Sequence, residues 1–402
     1  MATARLPGTR AGRAGLAAIA VTTGGSAPVI VVNAGSSTLK VRVLGPTDAV
    51  EKSLDLDPWD GSADHPELSD FLASVTGAGL VGHRVVHGGS TFSQAVLIDD
   101  SVVAAIASLT DLAPLHQPRA LAGIEAARRA LPGVPEVACF DTAFHAGMPP
   151  AAASYALPDS WTRRYGLRRY GFHGLSHGYA ARRAGELLGR DLAGLRIVTC
   201  HLGAGASLAA VSAGRSVDTT MGFTPLEGLV MATRSGSVDP GLITWLLQHG
   251  DIGLAAVSAG LEQQSGLAGL AGIPSGDMRE VLAAADDGDP RGQLALDVYL
   301  HRLRREIAAM AAALNGLDAL VFTGGVGEHS PRVRAAAVAG LVFLGVSLDP
   351  AQQHVTADAD ISGAGPVRVL VVTAREEVEI ARQARAVLAA RPAGPRAPAA
   401  GW

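Results

Sequence analysis

Cysteine is scarce in this chain of 402 residues, which carries only Cys139 and Cys200 and has no CxxC pair. Both cysteines lie at the ends of apolar, strand-like runs, where we expect them to be buried. This usage excludes a disulfide scaffold and a cysteine-based zinc site. It indicates a reducing compartment, and we expect a cytoplasmic protein.

Long apolar runs and an excess of charge are also missing. The longest apolar stretches, such as residues 307–314, are too short to span a bilayer, so we expect no membrane partner. The formal net charge of -4 creates no field that would attract DNA or RNA, so no nucleic-acid partner is expected either.

The two ends of the chain differ in composition from the rest. Residues 1–27 contain arginine but no Asp or Glu, and the first acidic residue is Asp48. We interpret residues 1–27 as a disordered N-terminal extension, with a targeting peptide as the alternative. Residues 392–402 are rich in Pro, Ala and Gly, which is typical of a loose tail.

Several catalytic signatures are absent from the sequence. It contains no P-loop of the form GxxxxGK[ST], no HExxH zinc motif and no His-Arg-Asp catalytic loop. These absences exclude P-loop nucleotidases, zinc proteases of that type and protein kinases. We also expect no activated nucleophile, since neither cysteine is predicted to be exposed.

Two stretches of the chain have the same shape, VIVVNAGSSTLKVRVL (29–44) and RIVTCHLGAGASLAAV (196–211). Each is an apolar run, a turn of small and polar residues, and a second apolar run, which predicts a hairpin. Asn33 aligns with His201, and Gly35 aligns with Gly203. Small residues let backbone N–H groups approach a ligand, and a row of such donors suits phosphate. The pair predicts a duplicated domain with a phosphate-holding turn in each half.

Strand and helix patterns alternate in both halves. Strand-like runs cover residues 29–32, 41–44, 50–54, 80–86, 134–140, 196–200, 207–211, 215–218, 319–322 and 367–372. Helical spacing covers residues 66–74, 101–108, 119–130, 177–188, 241–263, 291–314, 331–341 and 376–390. A break falls near residues 148–150. The sequence therefore predicts an α/β fold with two layered lobes and a cleft between them.

Further polar clusters occur at predicted strand ends and turns. They are GHRVVHGG (82–89), CFDTAFH (139–145), YGFHGLSH (170–177), DTTMGFTPLEG (218–228), TRSGSVDPG (233–241), FTGGVGE (322–328) and REE (375–377). They combine arginines in Gly-rich turns, isolated acids after strands and Gly-rich loops. Phosphoryl transfer needs this mixture, because arginines stabilise the equatorial oxygens while backbone donors hold the polyphosphate.

These clusters, in this order, resemble the acetate/propionate kinase family, within the actin–hexokinase-like superfamily. The resemblance covers about residues 28–390. It implies duplicated actin/ribonuclease-H-like βββαβαβα domains with the active site in the cleft between them. It also implies a homodimer and reversible, in-line phosphoryl transfer from ATP to acetate, giving acetyl phosphate and ADP, with Mg²⁺ or Mn²⁺ as cofactor.

The resemblance further implies domain boundaries. Residues 28–147 would form the N-terminal lobe, completed by a C-terminal helix at about residues 377–391. Residues 148–376 would form the C-terminal lobe, which binds the nucleotide and carries the dimer contact.

The resemblance assigns a role to each matching position. The catalytic residues would be Asp141, Arg84, Arg234 and His173. Substrate would be bound by Arg84, Val86, Leu115, His116, Phe172 and Pro225. The nucleotide would be bound by Lys40, Ser36, His201, Gly203, Gly205, Asp277, Arg279, Gly325 and Gly327. The metal would be associated with Asn33 and Glu376.

Each of these residues, taken alone, has a plainer explanation. Arg84 could be a salt-bridge partner, Asp141 could cap a turn, and Phe172 could be ordinary core. Four further histidines are expected to be structural: His83, His87, His145 and His177. The assignment depends on the co-occurrence of the motifs.

Two positions depart from the family pattern. Ala204 stands in the second phosphate turn where the family typically has Asn, so we expect one donor to the nucleotide phosphates to be missing. Arg375 precedes the acid Glu376 where the family has a small polar residue, and we expect its side chain to point to solvent.

Two alternative functions remain open from the sequence. One is a kinase that prefers propionate or another short-chain carboxylate, since one methylene in an apolar pocket changes binding by only about 1–3 kcal/mol. The other is a catalytically weakened relative that binds nucleotide, which the Ala204 departure would favour.

Overall fold

The structure is a computed structural model that describes residues 27–35 and 38–390. The expectations for residues 1–26, for Ser36 and for the tail at 392–402 fall outside the described residues. Within the described part, no helix is both long enough and apolar enough to cross a membrane.

The N-terminal half contains six strands and six helices. Strands β1 to β6 are Val29–Ala34, Leu39–Leu44, Val50–Leu56, Leu80–Val85, Val96–Leu97 and Glu136–Phe140. Helices α1 to α6 are Pro66–Ala73, Asp100–Ser108, Gln117–Ala130, Pro150–Ala153, Asp159–Tyr165 and Gly174–Leu188.

The C-terminal half repeats the theme with more helices. Strands β7 to β12 are Arg196–Leu202, Ala206–Ser212, Arg215–Thr219, Ala319–Thr323, Ala359–Asp360 and Arg368–Val371. Helices α7 to α14 are Pro240–His249, Leu254–Gln263, Gly266–Ala271, Met278–Asp286, Pro290–Ala313, Gly324–His329, Pro331–Ala339 and Glu376–Ala389.

The two halves each build a six-stranded mixed sheet of the same topology. The strand orders are β3-β2-β1-β4-β6-β5 and β9-β8-β7-β10-β12-β11. In each sheet the first three strands are antiparallel, the next two are parallel to the first strand, and a two-residue edge strand is antiparallel. The third strand of each sheet also pairs through an irregular register. The predicted duplicated α/β fold is confirmed.

Local sequence explains where several helices begin and end. Asp99, Asp239 and Asp289 each precede a helix and accept a hydrogen bond from a backbone N–H of its first turn, which satisfies a donor that the helix leaves free. Helix α6 ends at Gly189, whose φ of +59° suits a residue without a Cβ.

The last helix of each half packs on the sheet of the other half. Helix α6 follows β6, yet its buried face, including Ala180 and Ala184, lies against β7 and β10 of the C-terminal sheet. Helix α14 follows β12, yet Ile380 and Ala384 pack against β1, β4 and β6 of the N-terminal sheet. Helices α6 and α14 also contact each other, for example through the Arg182–Glu379 ion pair at 2.7 Å. The two lobes are therefore joined by an exchange of helices.

The sequence pattern missed seven short elements, which are strands β5 and β11 and helices α4, α5, α9, α10 and α12. Strands β5 and β11 have only two residues each, too few for an alternation pattern. Helix α9, GLAGLA, is rich in glycine and resembles a loop in sequence. The helical spacing at 241–263 corresponds to two helices, α7 and α8, with Gly250 and Gly253 between them.

Candidate active site

Three neighbouring strands deliver Asn33, Arg84 and Asp141 to one edge of the N-terminal sheet. Strand β4 lies between β1 and β6 and is parallel to both. Asn33 and Arg84 are the last residues but one of β1 and β4, and Asp141 directly follows β6. Because carboxyl ends of parallel strands meet at the same edge, the three side chains lie side by side, at the place where open α/β sheets bind ligands.

Arg84 is the centre of this cluster. Its Nη2 donates to Asp141 Oδ2 at 2.6 Å, and its Nη1 donates to Asn33 Oδ1 at 3.2 Å. Burial disfavours the charged guanidinium, but Asp141 and Glu376 outweigh burial and raise the pKa of Arg84. Arg84 therefore carries a permanent charge that is fixed in direction.

Glu376 enters the cluster from the opposite lobe. It is the first residue of α14, and its Oε2 accepts a hydrogen bond from Asn33 Nδ2 at 3.0 Å and lies 3.9 Å from Arg84 Nε. Burial favours the neutral acid, but Arg84, His201 and Asn33 outweigh burial and lower the pKa of Glu376. The carboxylate is therefore ionised and held at the edge of the cleft.

His173 is held in an unusual backbone conformation directly before α6. Its φ of +55° is left-handed, which is rare for a residue with a Cβ and is a mark of functional sites. Its Nδ1 lies 2.8 Å from Ser207 Oγ, which lies 2.8 Å from Nε2 of His177. Burial, followed by the neighbouring His201 and His177, lowers the pKa of His173 well below its usual value. The structure therefore presents a neutral, oriented imidazole.

Arg234 lies beside His173 but lacks a carboxylate partner. Its Nη1 donates to the carbonyl oxygen of Pro225 at 2.7 Å, and among the described residues it forms no ion pair. A Cβ at Gly205 would lie 3.1 Å from Arg234 Nη2 and 3.4 Å from His173 Nε2, so Gly205 separates the two side chains. Burial lowers the pKa of Arg234, because no neighbouring carboxylate compensates for it fully. An uncompensated cation in a cleft is a binding group for an anion.

His116 lies in the field of both arginines. Burial lowers its pKa to about 4, and Arg84 and Arg234 act in the same direction. His116 is therefore neutral near pH 7 and can donate or accept a hydrogen bond without adding charge.

The predicted apolar pocket is only partly assembled from the predicted residues. Val86 and Phe172 are buried in one cluster together with Ala113. Pro225 is half-buried beside Arg234. Leu115, in contrast, leaves 54% of its surface exposed, so the structure places it on the open side of the cleft.

Two adjoining cavities, which share Gly325, run from this cluster along the C-terminal lobe. The first, of about 450 Å³, is lined by Asn33, Lys40, His201 and Glu376. The second, of about 610 Å³, is lined mostly by small and apolar residues. Its lining includes Gly203, Ala204, Ala232, Leu267, Asp277, Met278, Arg279, Leu282, Tyr299, Gly325 and Val326. A charged cavity that continues into a larger, more apolar one matches the two ends of a nucleotide.

Two further residues differ from their predicted placement. Gly327 faces away from both cavities, because a Cβ there would touch Phe322 and the Cys200 carbonyl beneath it. Arg375 does not point to solvent: its Nε donates to Glu377 Oε1 at 2.9 Å and its Nη2 donates to the Asp48 carbonyl at 2.9 Å. These contacts fix the start of α14 to the β2–β3 turn.

One serine lies in a Gly-x-Ser-x-Gly pattern, at residues 174–178. Ser176 is 1% exposed inside the first turn of α6, and its Oγ lies 2.8 Å from His201 Nδ1. A nucleophilic serine of this motif would stand exposed on a strand-to-helix turn. Ser176 therefore orients His201 and is not available as a nucleophile.

Three residues of the site carry little or no signal in the sequence that could identify them. Ser207 and His177 orient His173, and the only hint is the four-residue spacing of His173 and His177 across the start of α6. Glu328 Oε1 accepts hydrogen bonds from the backbone N–H groups of Gly324 at 2.8 Å and Ala374 at 2.9 Å. It thus fixes the Gly-rich loop that joins the two cavities.

The donor set suits a metal that is held mainly by substrate. Within residues 27–35 and 38–390 no group of three or more His, Cys, Asp or Glu residues could hold an ion by itself. Glu376, however, is an ionised carboxylate on the wall of the smaller cavity. Mg²⁺ typically uses one or two carboxylates together with phosphate oxygens and water, so this site fits Mg²⁺ bound with a nucleotide.

Comparison with known proteins gives concordant matches. The model of the acetokinase family matches residues 62–382. An acetate kinase from Trichormus variabilis (strain ATCC 29413 / PCC 7937) is 53% identical over 306 residues, which are 76% of this chain and 75% of that protein. An acetate kinase from Shouchella clausii (strain KSM-K16) is 42% identical over 388 residues, which are 89% of this chain and 98% of that protein.

Solved structures match over most of the chain as well. The crystal structure of Porphyromonas gingivalis acetate kinase has a TM-score of 0.84 and 36% identity, and covers 90% of this chain and 100% of its own. A propionate kinase from Francisella tularensis subsp. tularensis SCHU S4 has a TM-score of 0.83 and 34% identity, with the same coverage.

Proposed function

The chain belongs to the acetokinase family, and from that premise we propose that it transfers the γ-phosphoryl group of ATP to acetate, reversibly, giving acetyl phosphate and ADP. The observation that carries the proposal is the pair of arginines. Arg84 comes from the N-terminal sheet and Arg234 from the C-terminal lobe, and both lie next to His116 and an apolar pocket. Two cations beside a small apolar pocket suit a small carboxylate that must meet a phosphate.

The chemistry explains why the site has no nucleophile and no free base. Acetate is already an anion at neutral pH, so no proton has to be removed before its oxygen attacks the γ-phosphorus. The bond from that phosphorus to the β,γ-bridging oxygen breaks in line, and ADP leaves with the electron pair. The obstacle is repulsion between a carboxylate and a polyphosphate, and charge stabilisation is what this chain supplies.

The two arginines have different tasks in this proposal. Arg84 is held by Asp141 and Asn33, so its direction is fixed before substrate arrives, and it stabilises the transferred group at a defined position. Among the described residues Arg234 has only a carbonyl partner, so it would bind the carboxylate of acetate or the equatorial phosphoryl oxygens. His173 is neutral and its Nδ1 contacts Ser207, so Nε2 is the ring nitrogen that remains to contact the transferred group.

ATP would lie along the two cavities, with its phosphates in the smaller one. Lys40 and His201 line that cavity, and the turn from Gly203 to Gly205 carries no side chain larger than a methyl group, so its backbone can approach the β- and γ-phosphates. The adenosine would occupy the larger cavity beside Asp277 and Arg279. We propose that Glu376, oriented by Asn33, holds Mg²⁺, with Mn²⁺ as a substitute. A divalent ion bound there would neutralise charge on the β- and γ-phosphates.

Acetate is the preferred acceptor in this proposal, with propionate as the second candidate. Val86 and Phe172 are both buried, so the apolar end of the site is closed by fixed side chains. The match to a propionate kinase at 34% identity favours testing the three-carbon acid alongside. A difference of one methylene is worth about 1–3 kcal/mol in such a pocket.

A hydroxylamine-trapping assay tests the proposal. Purified protein, ATP and Mg²⁺ are supplied with acetate, propionate or butyrate, and acyl hydroxamate is measured. We expect most product from acetate, less from propionate, and almost none after EDTA or in Arg234→Ala. Nucleotide binding without product from any acid, in folded protein, would support the catalytically weakened relative and contradict the proposal.

We also propose that the active protein is a homodimer in the cytoplasm. Helix α7 is apolar but has no buried residue in the single chain, and Leu242, Trp245 and Leu247 are exposed on it. Exposed Ile252 and Leu254 follow in the next turn and in α8. A second copy would cover this surface. Light scattering should give twice the chain mass, and Trp245→Glu should give the monomer; a monomeric wild type would contradict the dimer.

A further inference from the structure

Three side chains outside the assigned site form a compact hydrogen-bonded cluster, which we call the Glu227 clamp: Tyr155, Arg169 and Glu227. The hydroxyl of Tyr155 donates to Glu227 Oε2 at 2.6 Å, and Arg169 Nη2 donates to Glu227 Oε1 at 2.6 Å. Arg169 also lies over the Tyr155 ring, 5.5 Å from its centroid. The side chain of Arg169 is 17% exposed and that of Glu227 is 35% exposed, so the ion pair is partly shielded from water.

The clamp ties together two segments that are distant in sequence. Arg169 Nη1 donates to the carbonyl oxygens of Thr220 and Met221, both at 3.1 Å. The hydroxyl of Tyr155 also accepts a hydrogen bond from the backbone N–H of Phe223 at 2.9 Å. The backbone N–H of Tyr170 donates to the Gly222 carbonyl at 3.0 Å. Segments 169–173 and 220–227 are therefore joined by side-chain and backbone hydrogen bonds.

Gly222 is the position that permits this arrangement. A Cβ at residue 222 would overlap both the Glu227 carboxylate and the Tyr155 hydroxyl. The Glu227 carboxylate therefore lies against the backbone of its own segment at residue 222, and the clamp can form only if that residue is glycine.

Both joined segments carry residues of the proposed acetate-binding site. The first carries Phe172 and His173. The second carries Pro225, whose carbonyl oxygen accepts the hydrogen bond from Arg234 Nη1 at 2.7 Å. Pro225 is two residues before Glu227, so movement of Glu227 would displace the only hydrogen-bond partner that the structure gives the Arg234 side chain.

We propose that Glu227, with Tyr155 and Arg169, is a positioning residue that sets the distance between His173 and the Pro225–Arg234 unit and thereby determines acetate binding. This proposal rests on the proposed function. Nucleotide binding lies on the other side of Arg234, along the turn at Gly203 and the cavity at Asp277, where no clamp residue contributes to the lining. The clamp therefore acts on the acid and not on ATP.

Steady-state kinetics with acetate and ATP varied separately test the proposal. Glu227→Gln keeps the size of the side chain but removes the ion pair, and we expect the KM for acetate to rise about tenfold or more, while the KM for ATP stays within about twofold. A misplacement of about 1 Å is enough for such losses. Tyr155→Phe should give a smaller change in the same direction. The matched control is Asp318→Asn, which removes a carboxylate that pairs with Arg196 at 3.0 Å in the same lobe, outside the cavity linings.

Amide hydrogen exchange gives a second readout that does not depend on turnover. In Glu227→Gln, peptides covering residues 169–173 and 220–227 should exchange faster than in the wild type, and in Asp318→Asn they should not. An equal rise in both KM values, or an unchanged KM for acetate in active enzyme, would overturn the proposal. If the wild type forms no acyl phosphate, the proposed function fails, and the exchange data alone decide: unchanged protection of the two segments overturns the clamp.

Discussion

The two sheets have one topology but place very different groups at the ends of their equivalent strands. The register shows which positions correspond. In the N-terminal sheet Val32 pairs with His83, and in the C-terminal sheet Cys200 pairs with Phe322. The next residues along the strands are Asn33 and Arg84 in one sheet and His201 and buried Thr323 in the other.

The N-terminal edge carries an arginine–carboxylate pair that the C-terminal edge lacks. Arg84 corresponds to buried Thr323. Ala138 and Val371 occupy equivalent positions in the two sheets, so Asp141 corresponds to Ala374, each three residues further along. His201 is kept neutral, since burial lowers its pKa. The acidic residue that the C-terminal edge does contain, Glu328, accepts two backbone hydrogen bonds through Oε1, and its Oε2 lies 4.0 Å from His329 Nε2.

This difference shows how a duplicated scaffold divides one reaction. In the proposed mechanism the N-terminal edge fixes the group that is transferred, while the small residues of the C-terminal edge leave room for the nucleotide. The backbone topology is the same in both copies, so the chemistry depends on a few strand-end side chains.

Removing the central charge of the N-terminal edge should have the largest effect. Arg84→Ala should lower kcat by about 10³- to 10⁵-fold, the range found when an arginine that stabilises a transferred phosphoryl group is lost. Arg375→Ala is the matched control, because Arg375 is an arginine close to Glu376 that binds Glu377 and the Asp48 carbonyl. Steady-state rates with far-UV circular dichroism check the outcome. A loss of less than tenfold for Arg84→Ala would contradict its role.

Equivalent positions in the two sheets should respond unequally. Asn33→Ala removes the link between Arg84 and Glu376, so we expect kcat to fall about 10- to 100-fold, as is usual when the residue that orients a ligand is removed. His201→Ala should change kcat by less than about tenfold and mainly raise the KM for ATP. Kinetics of the two variants in parallel provide the measurement, and equal losses in kcat would break the proposed division of roles.

The neutral histidines should make the fold sensitive to acid. Burial lowers the pKa of His145 to about 4, against an ordinary value near 6.5 in the unfolded chain. Between these values the unfolded state binds more protons, so the free energy of unfolding falls as the pH is lowered, by about 2 kcal/mol for this residue from pH 7 to pH 5. Urea unfolding at several pH values measures the slope. In His145→Gln the slope should be smaller, and an unchanged slope would show that His145 titrates normally.

The smallest expected change comes from restoring a donor to the C-terminal edge. Ala204 lines the nucleotide cavity with a methyl group. Ala204→Asn would add an amide that can donate to the phosphates, so turnover with ATP should rise about three- to tenfold. Ala204→Ser serves as the control, because its hydroxyl is a shorter donor than the Asn amide and the side chain is close to alanine in size. An unchanged or lower rate in Ala204→Asn would show that the backbone of the turn already satisfies the phosphates.

Much of this arrangement is visible in the sequence because it follows from local patterns. The hairpins around Asn33 and His201 have the alternation that strands require, and the order of the motifs predicts the family. The contacts that hold the site together are not local. Ser207 reaches His173 across 34 residues and Asn33 reaches Glu376 across 343, and no periodicity encodes such pairs.

Two residues predicted to bind the nucleotide have contacts that the sequence does not anticipate. Asp277 lines the larger cavity, but it also caps α10 by accepting a hydrogen bond from the Arg279 backbone N–H at 2.8 Å. Gly327 belongs to the same Gly-rich motif as Gly325, yet helix formation by residues 324–329 turns it towards Cys200. A motif indicates a region, whereas the helix phase decides which member faces the ligand.

The exchange of α6 and α14 between the lobes has a consequence for synthesis on the ribosome. The N-terminal sheet lacks one of its two covering layers until residues 376–389 have been made, because Ile380, Ala381 and Ala384 complete its core. Gly82 of β4 leaves space for α14, because a Cβ there would collide with Ile380. The first lobe to emerge is thus the last to be finished. Unlike chains whose domains fold in order of emergence, this one must hold an apolar sheet face open until nearly its whole length has been translated.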